Sequence, residues 1–73
     1  AIHHLSDREF EVFQLIGEGR STSQIAEALK ISPKTVDVHK LKIRQKLKLT
    51  EGTSLTSFAI RWVEMRKLGR KSD

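Results

Sequence analysis

Between Pro33 and Lys46 the chain reads PKTVDVHKLKIRQK, with cations at Lys34, Lys40, Lys42, Arg44 and Lys46. Positive charge at this density draws polyanions. Val38 and Leu41 interrupt the run. On a helix, residues advance about 100° each, so Ile43 and Leu47 fall within roughly 20° of Val36, and Lys40 about 40° from it. That stripe is the buried side. Lys34, Val38, Leu41 and Gln45 cluster on the far side, between about 140° and 200°, flanked by Asp37 and Lys42. Two branched apolar side chains thus point away from the core among lysines. Three readings compete: scattered surface apolar residues, a plug for a groove on a partner protein, or insertion into the major groove of DNA. There, apolar groups touch thymine methyls while neighbouring polar groups reach base edges.

The remaining polar residues sort by position. Lys34 and Thr35 occupy a helix start, where backbone N–H groups also favour an anion. Ser21, Thr22 and Ser23 place hydroxyls and free N–H groups at another. Lys40, Arg44 and Lys46 flank the helix, within reach of strand backbones. Asp37 either accepts from a cytosine amino group or pairs with Lys34, Lys40 or Lys42. His39, at the edge of the buried stripe, reads as a packed, hydrogen-bonded side chain, with a phosphate contact second. No Ser–His–Asp set, Gly-rich phosphate loop or paired acids are present, and Glu9 and Glu11 face different ways on their helix. His3 and His4 lack further ligands at metal spacing. The chain reads as neither an enzyme nor a cofactor or metal protein.

Seventy-three residues allow one domain. Its net charge of +5 is unevenly spread. Residues 1–29 hold two basic and five acidic side chains, residues 30–50 seven and one, and residues 51–73 five and three. Without cysteine there is neither a disulfide nor a thiolate metal site. No apolar run spans a membrane and no signal peptide is evident, which points to the cytoplasm. Residues 1–4 read as a linker end or an expression remnant, and residues 69–73 as a flexible tail, so the domain reads as part of a longer protein.

Four helices are predicted, at about 7–17, 22–29, 33–48 and 54–68. Ser6 with Glu9 and Ser21 with Gln24 form capping boxes, and Leu5 packs on Phe10. Ser32 caps the third helix, with Pro33 in its first turn. Gly17 and Gly19 end the first helix and Gly69 the fourth. The fold class is all-α. Only Lys30 and Ile31 separate the second helix from the next cap, so those two helices cross steeply as a helix-turn-helix around Ile25, Ala26, Leu29, Ile31 and Val36. Lys30 is expected in the left-handed region, at roughly 1 kcal/mol.

The segments LSDREFEVFQLIGEG, IAEALKISPKTVDVH and IRQKL resemble the LuxR/FixJ-type (NarL-like) helix-turn-helix domains of bacterial transcription regulators. The likeness spans Leu5 to about Leu49, and more loosely to Ala59. It implies a third helix lying in the major groove and a dimer formed through the fourth helix on a roughly palindromic site. It also implies an upstream sensory domain, often a phosphorylatable receiver. Residues matching Asp37, Val38 and Leu41 touch bases in that family, and those matching Thr35 and Lys46 contact the backbone. Here Asp37 stands where Lys or Arg is frequent. Lys40 replaces an apolar residue, so its stem should lie along the core with the ammonium outside. Lys48 and Gly52 replace the usual Gly and Arg.

The fourth helix has two apolar faces. Leu55, Phe58, Ala59 and Trp62 are expected to cover the core, and Thr56, Ile60, Val63 and Lys67 to form a dimer seam. The reading is therefore a sequence-specific, dimeric duplex-DNA-binding output domain of a response regulator. Bases are assigned to Asp37, Val38, Leu41, Lys42 and Gln45. The DNA backbone is assigned to Ser21, Thr22, Ser23, Lys34, Thr35, Lys40, Arg44 and Lys46. RNA polymerase is a further expected partner. The alternatives are a sigma-type promoter-recognition domain and a helix-turn-helix used for protein binding.

Overall fold

Three serines start three helices. Ser6, Ser21 and Ser32 are extended, and each side chain accepts the N–H three residues on, from Glu9, Gln24 and Thr35 at 3.1–3.2 Å. Glu9 and Gln24 return the bond to the serine N–H, at 3.0 and 2.9 Å. The computed structural model describes residues 2–50 and 52–71, without the side chains of residues 69–71. It contains α1 (Asp7–Gly17), α2 (Thr22–Leu29), α3 (Pro33–Lys46) and α4 (Leu55–Lys71), after a 3-10 turn at Ile2–His4. No strand occurs among the described residues.

The first three helices stop by one device. An amide just past each helix bonds back five residues: Arg20 to Leu15, Ile31 to Ala26, and Leu49 to Arg44, at 3.0–3.1 Å. The residue before it is left-handed in each case: Gly19 (φ 88°), Lys30 (57°) and Lys48 (55°). This arrangement is the Schellman motif. It places Lys30 as the sequence requires. It also ends α3 at Lys46 rather than residue 48, because Lys48 has turned left-handed. α4 begins at Leu55, with Ser54 Oγ accepting the Ser57 N–H at 3.2 Å.

Two further boundaries differ from expectation. α4 runs through Gly69 to Lys71, because a lone glycine weakens a helix by about 1 kcal/mol without stopping it. Residues 72–73 of the expected tail, Ala1 of the expected linker and Glu51 lie outside the described residues. Ile2, also read as linker, packs against the core.

Val12, Phe13 and Ile16 of α1 meet Ile25 and Ala26 of α2, Val36, Ile43 and Leu47, and Leu55 and Ala59 of α4. Phe13 packs edge-on against Trp62 with ring centroids 5.4 Å apart, and Phe10 lies 5.6 Å from the same indole. Val63 corrects the expected outer strip of α4. It is 8% exposed and turned inward, 60° round the helix from Ile60 and over Gly17. A Cβ on Gly17 would stand 2.6 Å from the Ala59 carbonyl oxygen, so α1 and α4 meet there because the residue is glycine.

Candidate nucleic-acid interface

One side of α3 is occupied by Val36 and Ile43, both wholly buried. The opposite side carries Val38 and Leu41, 46% and 57% exposed. Neither is covered by another of the described residues. Lys34, Asp37, Lys42 and Gln45 share that outer face, exposed and without a side-chain hydrogen bond or ion pair to any described residue. The alternative of an Asp37 ion pair with Lys34, Lys40 or Lys42 is therefore not realised. The helix backbone brings the five base-reading candidates into one convex, unpaired surface.

The flanking cations behave differently. Lys40 lies half-buried along the core edge, and its ammonium donates to Thr22 Oγ1 at 2.5 Å. That bond sets a cation at the N-terminus of α2, beside Ser21 and Ser23, where the helix end is itself positive. Arg44 turns to the connection before α4. Its Nη1 donates to the Thr53 carbonyl at 2.8 Å and its Nη2 to the Thr50 carbonyl at 2.9 Å. Lys46 crosses to α1 and meets Glu9 Oε1 at 2.7 Å. The Thr35 hydroxyl shares a 2.9 Å bond with Ser32. Of the backbone-contact candidates, Lys34 and Ser23 alone have no side-chain hydrogen bond among the described residues.

Glu9 is the charged residue of the core, 4% exposed. Burial pushes its carboxyl up, but the Lys46 ammonium and the Ser6 N–H outweigh that and hold it below its ordinary value. His39 departs from expectation in one respect: it is half-buried, yet its Nδ1 is enclosed with no hydrogen-bond partner. No group of three or more metal-ligating side chains occurs among the described residues. None of their helices is long and apolar enough to cross a membrane.

The sequence profile of the bacterial regulatory proteins of the luxR family matches residues 3–59. The chain belongs to the luxR family. Like other luxR-family domains it is the DNA-binding output part of a transcription regulator. Among curated proteins it is 41% identical over 59 residues to the uncharacterized response regulatory protein YgeK of Escherichia coli (strain K12), covering 81% of this chain and 40% of that one. It is 44% identical over 57 residues to the oxygen regulatory protein NreC of Staphylococcus carnosus (strain TM300), covering 78% and 26%. It is 42% identical over 67 residues to the transcriptional regulatory protein DegU of Brevibacillus brevis, covering 89% and 28%. This luxR-family chain thus spans two fifths or less of the length of these relatives. No solved structure matches it.

Two features of this luxR-family domain escaped the sequence reading. Glu9 is more than a cap: it falls at i with Val12, Phe13 and Ile16 at i+3, i+4 and i+7, on the face that becomes the core. A carboxylate on that face needs a cation, and Lys46 supplies it. The Arg44 bridge to two loop carbonyls had no sequence signal, because any cation near a helix end can find such acceptors.

Proposed function

We propose that the domain binds duplex DNA with α3 in the major groove. Val38 and Leu41 lie against thymine methyls, and Asp37, Lys42 and Gln45 reach base edges. Lys34, Thr35, Lys40, Arg44 and Lys46, with Ser21, Thr22 and Ser23, meet the phosphates on either side. The observation that carries this reading is the exposed, unpaired outer face of α3, apolar at Val38 and Leu41 and ringed by cations. Two copies bind a roughly palindromic site through α4. With Val63 turned inward, the seam reduces to Thr56, Ile60 and Lys67. So small a strip makes a weak dimer that DNA or an upstream domain must reinforce. One named relative, YgeK, is a response regulatory protein, and the chain spans two fifths or less of its relatives, which supports a receiver domain upstream; contact with RNA polymerase, a cytoplasmic location and action by binding alone belong to the same proposal.

The test is a salt titration on duplexes recovered by in vitro selection. With four cations per copy on phosphates, log affinity should fall with log salt at a slope of about −4 for each bound copy. A flat titration would instead favour a protein-binding module. The selected sequences themselves give the bases read and the half-site spacing.

A further inference from the structure

Lys46 reaches the last turn of α3 already paired. Its ammonium lies 2.7 Å from Glu9 Oε1, and that same oxygen accepts the Ser6 N–H at 3.0 Å. The partners differ in access: the Glu9 side chain is 6% exposed and the Lys46 side chain 38%. The anion is sealed inside and the cation sits over it, one edge open to solvent. An ammonium has donors to spare after one bond, so a phosphate can still approach from the open side. Any phosphate that does so comes close to a carboxylate that water screens poorly.

From this geometry we infer that Glu9 is a positioning residue for DNA binding, which holds the Lys46 ammonium in place and cancels much of its pull on phosphate. The inference rests on DNA binding as proposed above. Its effect falls on a contact that carries no sequence information. Weakening such a contact lowers affinity for all duplexes alike, so the preference among sites is kept while every complex comes apart more readily. Glu9 thus trades affinity for faster release from every site.

Glu9→Gln isolates the charge. Glutamine keeps an acceptor for both bonds, and this fold already uses one in that role, where Gln24 returns the Ser21 bond. The Glu9→Gln domain should bind selected and random duplexes about two- to fivefold more tightly. Its salt slope should steepen by up to about 0.9. Glu11→Gln, the same charge change at an exposed site two residues away, should move both far less. Unchanged or weaker binding by folded Glu9→Gln, or a shift no larger than that of Glu11→Gln, overturns the inference. A second measurement needs no variant. In the native domain the NMR signal of the Lys46 ammonium should exchange with water more slowly than that of Lys42, and equal exchange rates overturn the holding role of Glu9. A flat salt titration of the native domain would defeat the DNA-binding reading itself. A steep native slope that ignores Glu9→Gln defeats this inference alone.

Discussion

Val38 and Leu41 face away from the core the described residues build, and their contribution is a matter of a few carbon atoms. Val38→Ala removes two methyls from the outer face of α3 and leaves the core untouched. It should cost about 1 kcal/mol on a selected duplex, concentrated at one base step, and little on random DNA. Equal losses on both would mean that Val38 does not read sequence. Glu9 has a different signature, in pH. Its carboxyl titrates lower in the folded chain than in the unfolded one. Its stabilisation is therefore complete above the ordinary glutamate range. As pH falls, the unfolded chain takes up the proton first, and the contribution disappears through the folded value. Urea midpoints should decline on acidification below that range, and Glu9→Gln should flatten that part of the curve. The outer face of α3 was legible in advance because it needs only the angle between successive residues. The Glu9–Lys46 pair was not, because it joins positions 37 apart and depends on how α1 crosses α3.

Among the elements, beginnings were easier to read than endings. A helix start is announced by its own side chains, and Ser6, Ser21 and Ser32 act as their spacing to Glu9, Gln24 and Thr35 requires. An ending depends on one residue turning left-handed, and here only Gly19 advertises that freedom. Lys30 and Lys48 make the same turn with a side chain attached, which costs about 1–2 kcal/mol. The helix dipole returns part of this by welcoming a cation at the C-terminus. Lys48→Gly should therefore raise stability by about 1 kcal/mol in denaturant unfolding. A loss of stability would show that the lysine stem packs usefully. Gly69 shows the converse: a glycine on a helical pattern is not a terminus unless the following amides find carbonyls to return to.

For the whole molecule, the proposed reading surface and the proposed dimer seam lie on different helices. α3 presents one surface, and the outer strip of α4 another. Ile60 is 39% exposed, so Ile60→Glu should leave the fold intact. Analytical ultracentrifugation on a selected duplex should then find one copy bound where the native domain places two. Persistent two-to-one binding would move the seam elsewhere. Val63 is turned inward, over Gly17. Where α1 and α4 cross, the glycine leaves no slack between a backbone carbonyl and its neighbour, and the indole of Trp62 is wedged against both Phe10 and Phe13. The two cylinders are pinned like riveted plates. Any side chain at position 17 would have to lift the last helix off the first, so the spacing of these two cylinders is set by a single missing carbon.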